Sequence, residues 1–258
     1  MIKLLRESWA IAQRILIELW RRGRSLMFWA LFPVIVLILN GLILAERAKL
    51  SQADAFAQAA PATLVGAALF FSCVGGSVAT VVGEREHQTL KRLFLTPLSG
   101  LSYFLGIFLA HCVIGLGQTF LILVVTIGLG SEFAGSLWLG LVIIMLSILA
   151  YVGVGFILGT QLARRTEDVN ALVATFGVPL LILGGAFLPV RIFPQSLLRL
   201  AKFNPIYHMT ESLFNIVVFA DRWDAASPHL LFLSIFSILM VGFGWLSYRK
   251  MVQVERRL

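Results

Sequence analysis

The feature that most limits the fold of this chain is a succession of long, uninterrupted apolar blocks. They cover residues 26–45, 62–82, 101–128, 137–163, 171–188 and 229–247. A hydrocarbon core about 30 Å thick is crossed by about twenty helical residues, and each block meets or approaches that length. The blocks are too long and too continuously apolar for barrel strands, and backbone groups left unpaired in lipid are costly, so each is read as a helix. The expected fold class is an all-α polytopic membrane protein with six transmembrane helices. Composition agrees, with 13% of the 258 residues charged and 59% hydrophobic. An ordinary soluble domain has about 25% charged residues.

Charge placement predicts orientation. If the amino terminus is cytoplasmic, most of the 21 basic residues fall on the inner side, and only Arg47, Lys49, Arg191, Arg199, Lys202 and Arg222 fall outside. The positive-inside rule then places both termini in the cytoplasm and asks for an even number of spans. The same asymmetry, with anionic lipid head groups as partner, accounts for the net charge of +8 without nucleic acid. Cys73 and Cys112 both lie in apolar blocks, so no disulfide framework is expected. No metal site is expected either. Residues 1–24 mix acidic with basic side chains and lack a small-residue cleavage site, unlike a signal peptide.

Three segments outside the spans have amphipathic patterns. Residues 1–24 place Leu5, Trp9, Ala12, Leu16 and Leu19 on one helical face, which predicts a helix lying at the membrane interface. Residues 84–97 carry Glu84, Arg85 and Glu86, followed by Thr89, Leu90 and Leu93 and by Thr96 and Pro97. A short amphipathic helix fits, ended by the proline; a plain solvated loop is the other reading. Residues 189–206 alternate prolines with an apolar run, which predicts two short helices dipping into the outer leaflet, or else an ordinary surface loop.

Taken together, these features resemble the membrane subunits of type-2 ATP-binding cassette exporters. The resemblance rests on six spans, the amphipathic start, the run ERE-x-x-TL-x-x-L-x-x-TPLS from Glu84 to Ser99, and the pattern of Gly185, Phe187, Pro189, Asn204 and Pro205. It covers essentially the whole chain as one transmembrane domain. It implies that residues 84–97 form a coupling helix docking on a cytosolic ATPase, and that residues 189–206 form an outer re-entrant hairpin acting as a gate. It further implies two ATPase subunits, a second permease chain in a homodimer, and a bacterial inner membrane. In this family a glycine commonly precedes the threonine where the chain has Gln88. The expectation is that Gln, the better helix former, alters only local helix stability.

No G-x-x-x-x-G-K-[ST] loop occurs, so this chain is expected to be non-catalytic, with ATP and Mg2+ bound by the partner. Asn40, His111 and Gln118 are the candidate pathway residues within spans, either lining a pathway or bonding neighbouring helices. Gly153, Gly155 and Gly159 are expected to permit close helix packing. An ion-coupled secondary transporter is the alternative function, although it predicts intramembrane acidic groups and repeats that the sequence lacks. The exporter reading implies a hydrophobic, amphipathic or lipid-linked cargo.

Overall fold

The computed structural model describes residues 2–95, 98–219 and 223–255, and no strand occurs among them. Helix α1 spans Ile2–Arg21 and α2 spans Gly23–Ala48. Helix α3 runs from Gln52 to Glu86 and is wound as a π-helix over Leu64–Gly75. The short α4 is Thr89–Phe94, followed by α5 at Gly100–Gly128 and α6 at Leu137–Gln161. Helix α7 covers Thr166–Leu183, with a π-helical turn at Val173–Gly177. Then come a 3-10 turn at Val190–Ile192, α8 at Gln195–Ala201, α9 at Pro205–Leu213 with a π-helical turn at Phe214–Val218, and α10 at Trp223–Glu255. Six of these helices, α2, α3, α5, α6, α7 and α10, are long and apolar enough to cross a membrane.

Helix starts follow local chemistry. Ser51 Oγ accepts from the Asp54 amide at 3.1 Å, Ser99 Oγ from the Ser102 amide at 2.9 Å, and Asn204 Oδ1 from the Ile206 amide at 3.0 Å. Each hydroxyl or amide oxygen satisfies one of the donors that a helix start leaves open. The Ser51 cap explains why α3 begins ten residues before the second apolar block at residue 62. Residues 53–60 are mostly alanine, which adds little hydropathy but favours helix strongly. Helix α7 likewise ends at Leu183 rather than at residue 188, because Gly185 turns the chain with a φ of 81°.

Helix α3 is the centre of the bundle, with 78% of its apolar window buried against 17% for α2 and for α10 and 22% for α7. It packs on α2, α5 and α6, while α10 lies along α6. The α3–α6 seam uses the predicted glycines: a methyl group at Gly155 would overlap Ser77 Oγ, and one at Gly159 would lie 3.2 Å from Val81 Cβ. Gly153 faces the other way, where α10 passes so closely that a methyl would sit 2.6 Å from the Met240 carbonyl carbon. Aromatic rings fill the space towards one end, with Phe104 of α5 at 4.5 Å from Phe156 of α6 and at 5.2 Å from Trp245 of α10.

Helix α1 docks along α5, and its buried face is Ser8, Ile11, Ala12 and Ile15. This protein-facing set overlaps the predicted stripe only in part. Only Ala12 of that stripe is buried, while Leu5 and Trp9 stay exposed together with Ile2 and Trp20. The apolar arc of α1 is broad enough to serve twice, one edge packing on protein and the other left for the head-group region, where Trp is stable.

Gly153→Ala is expected to destabilise the bundle by about 1–3 kcal/mol, because the backbone opposite cannot yield. Gly117→Ala, where nothing lies within 4 Å, should instead be neutral or stabilising by up to about 1 kcal/mol. Unfolding of both variants in detergent checks the contrast, and equal losses would refute the close α6–α10 approach.

Candidate functional site: the junction at the end of α3

The predicted coupling segment divides into two parts. Glu84, Arg85 and Glu86 form the last turn of α3, whereas Thr89, Leu90 and Leu93 belong to α4. Consecutive helical residues project about 100° apart, so three in a row can address three different neighbours. These three do so.

Glu84 is the most enclosed, with its side chain 11% exposed. Its Oε1 receives Arg14 Nη2 from α1, and its Oε2 receives the Tyr103 hydroxyl from α5. A carboxylate largely removed from water is tolerable only when paired and hydrogen-bonded in this way. Arg85 Nη1 donates to the Gly159 carbonyl at 3.2 Å and to the Ala163 carbonyl at 3.4 Å. These oxygens lie where α6 ends and its own ladder supplies no donors. Glu86, at the surface, accepts from the Thr166 amide at 3.1 Å and from the Thr166 hydroxyl, closing the open start of α7.

A second carboxylate fastens α1 to α5. Glu7 Oε2 accepts from Ser102 Oγ at 2.6 Å and from the Ser99 amide at 3.4 Å. The Ser102 hydroxyl, the Ser99 amide and the Lys3 ammonium together hold its pKa below the usual carboxylate range. Tyr103 carries the network on to α10 by stacking on Tyr248, the ring centres 5.4 Å apart and the planes 20° from parallel. The junction thus joins α1, α3, α5, α6 and α7, and touches α10.

Beyond it, His87 and Gln88 make a sharp bend into α4. Gln88 has a φ of 56°, so it is not helical, and the propensity argument made for it fails. The position asks for a left-handed backbone, which glycine adopts freely and which costs other residues about 1–2 kcal/mol. Leu90 is fully buried, and Leu93 packs against the core, so α4 is anchored by one face. Thr89 is half-buried, while His87, Gln88, Arg92 and Leu95 remain exposed. Thr96 and Pro97 lie outside the described residues.

Several of the other predicted residues bond to neighbouring helices. Asn40 Nδ2 donates to Thr63 Oγ1 at 3.5 Å, Gln118 Nε2 to the Trp29 carbonyl at 3.0 Å, and His111 Nδ1 lies 3.1 Å from the Ser72 carbonyl. Asn204 Nδ2 donates to the Leu180 carbonyl at 2.6 Å, which fixes the start of α9 against α7, with Pro205 in the first turn. Gly185 and Phe187 lie in the segment that connects α7 to Pro189 and the 3-10 turn. Among the described residues no three His, Cys, Asp or Glu side chains converge as metal ligands. Sequence reasoning missed Arg14, Tyr103 and Thr166. A cleft of about 510 Å3 lies between α2, α3 and α7, which are the first, second and fifth spans. Phe28, Trp29 and Phe32 line it from α2, Phe71 and Ser72 from the π-helical part of α3, and Val173 from the π-helical turn of α7.

Residues 6–218 match the protein family described as ABC-2 type transporter. The chain belongs to that family. Among relatives of this ABC-2 type chain is the probable multidrug ABC transporter permease YbhR of Escherichia coli strain K12, 30% identical over 133 residues, or 51% of this chain and 36% of that protein. Another is the inner membrane transport permease YhhJ of the same organism, 24% identical over 174 residues, or 67% of this chain and 46% of that protein. The chain therefore matches less than half the length of these relatives. As an ABC-2 type permease subunit it is a multi-pass membrane protein.

Glu84→Ala is expected to cost about 3 kcal/mol of unfolding free energy, since it leaves Arg14 and Tyr103 facing each other without their shared acceptor. Arg14→Ala on top of it should cost little more. A double-mutant cycle read by unfolding in detergent checks this, and additive losses would show that the two residues do not interact.

Proposed function

We propose that this chain is the membrane subunit of an ATP-driven exporter, moving a hydrophobic, amphipathic or lipid-linked substrate out of the cytoplasm or inner leaflet. It works as a homodimer with two cytosolic ATPase subunits, which bind the ATP and Mg2+, and it sits in a bacterial inner membrane with both termini inside. The observation that carries the reading is the pairing of an aromatic-lined cleft with a braced, partly exposed turn at one end of the same helix. Phe71 and Ser72 of α3 line the cleft, and Glu84, Arg85 and Glu86 at the end of that helix hold its neighbours.

In this reading the ATPase grips the exposed side of the α3–α4 turn, at His87, Gln88, Arg92 and Leu95. Leu90 anchors α4 to the bundle, so a push on the turn is delivered to α3 rather than absorbed by a loose loop. The ion pairs and caps made by Glu84, Arg85 and Glu86 pass it to α1, α5, α6 and α7. Movement of α3 and α7 reshapes the cleft wall. Asn204 and Pro205, with Gly185, Phe187 and Pro189, close the far end as an outer gate. The cleft suits an apolar or amphipathic cargo because its lining is mainly aromatic and aliphatic, with Ser72 and Asn170 as polar points.

The test uses inside-out membrane vesicles containing the chain with its co-purified ATPase, with a panel of fluorescent amphiphiles added to the bath. ATP-dependent uptake is expected for some members. It should fall at least several-fold in Trp29→Ala, which alters the cleft, and in Arg92→Glu, which alters the docking face. Uptake that runs on an ion gradient without ATP, or that ignores both substitutions, would overturn the reading.

A further inference from the structure

At the opposite end of the bundle from the Glu84 junction, two histidines from different helices meet. His208 lies in α9, and His229 lies in the second turn of α10. Their Nδ1 atoms are 2.8 Å apart. Both side chains are half-buried and open to solvent on one side.

The surroundings fix the protons. His208 Nε2 lies 2.9 Å from the Lys202 carbonyl oxygen, which only a donor can satisfy. The His208 proton is therefore on Nε2, and its Nδ1 offers a lone pair. His229 must then carry its proton on Nδ1 and donate it across the 2.8 Å contact. A backbone carbonyl that holds the far nitrogen of an imidazole is the usual outer support of a metal-binding histidine. The ring planes are also set by packing: Phe232 stacks on His208 with centres 3.8 Å apart and planes 12° from parallel, and Tyr207 contacts both imidazoles at 5.4 and 5.5 Å.

From this geometry we infer that His208 and His229 form a two-imidazole site for a divalent d-block cation of the zinc, copper or nickel type, which cross-links α9 to α10. The cation takes the place of the shared proton. The His229 proton moves from Nδ1 to Nε2, leaving a lone pair on each Nδ1 for the cation, with no net proton released. Zinc–imidazole bonds of about 2.0–2.1 Å in a tetrahedral site separate two nitrogens by about 3.3 Å, so the rings must part by about 0.5 Å and tilt until both lone pairs converge on the cation. Water fills the remaining positions. Among the described residues, Lys202 acts electrostatically on His229, and Glu211, one turn along α9 from His208, is acted on by Arg191. Imidazole rather than carboxylate donors select these cations over Mg2+ and Ca2+. Because α9 is tied to α7 through Asn204 and the Leu180 carbonyl, a bound cation would fasten the outer segment to the last helix.

The test uses the full chain in detergent, purified with a non-histidine tag and stripped with chelator. Adding Zn2+ should raise its unfolding temperature, as binding to the folded state alone requires. Adding Mg2+ should not. Cu2+ should give an electron paramagnetic resonance spectrum with two imidazole nitrogens. His208→Gln and His229→Gln should each abolish the Zn2+ shift and leave at most one nitrogen, while His87→Gln, which removes an exposed imidazole elsewhere, should keep both signals. If either variant unfolds before metal is added, the wild-type Cu2+ spectrum and Zn2+ shift decide alone. Wild-type protein showing no Zn2+ shift, or a shift unchanged in folded His208→Gln, overturns the inference, whatever the chain transports.

Discussion

A single carboxylate at the edge of an apolar bundle organises this molecule. Glu84 stands where lipid-spanning helices end, in a place too enclosed for a free charge, and is held there by a guanidinium from α1 and a phenol from α5. The cost of desolvating it is offset only while all three groups stay in register. That requirement makes the contact specific in a way that apolar packing between the same helices is not. Apolar faces can slide past one another, but a charged triad cannot slide without losing its partners. Arg85 and Glu86 extend the logic by supplying the donors and acceptors that the ends of α6 and α7 leave open. Three neighbouring residues therefore set the relative positions of the helix ends around them.

This arrangement changes what the acidic motif means. Resemblance assigns Glu84 to Pro97 to ATPase coupling, and a natural picture is of acidic side chains reaching out to a partner. Here Glu84 and Arg85 reach inward and only Glu86 lies at the surface. The outward surface is offered by the bend and by α4. The proposed coupling fits the observed bracing: a helix gripped on its exposed side would move the bundle only if something rigid connects the two. Midway along α3, π-helical stretches of two helices, Leu64–Gly75 of α3 and Val173–Gly177 of α7, contribute to the wall of the cleft. Such winding is uncommon and often marks functional positions.

Much of the fold was legible in the sequence because hydropathy over twenty residues is a strong local signal. All six apolar blocks correspond to membrane-length helices. The helix ends were less legible. Alanine-rich residues before the second block are helical without being hydropathic, and the chain leaves α7 early because Gly185 takes a left-handed turn. The protein-facing side of α1 was not legible, because its apolar arc is wider than one contact needs. The site was half-legible: residues 84–86 were singled out, but Arg14 lies 70 positions away from Glu84 and Thr166 lies 80 from Glu86. Nothing local in either segment names its partner. Gln88 was read as a helix former, whereas its backbone is fixed by the turn that connects α3 to α4.

Through the pairing of Glu84 with Arg14, α1 and the α3–α4 turn are expected to move as one rigid body. This is tested most directly by pulsed electron paramagnetic resonance with spin labels at Gln13 on α1, Arg92 on α4 and Gln195 on α8, in the complex with its ATPase. The account predicts that ATP binding changes the separation between residues 92 and 195 while leaving that between residues 13 and 92 constant. A shift of residue 92 relative to residue 13, with α1 left behind, would contradict it.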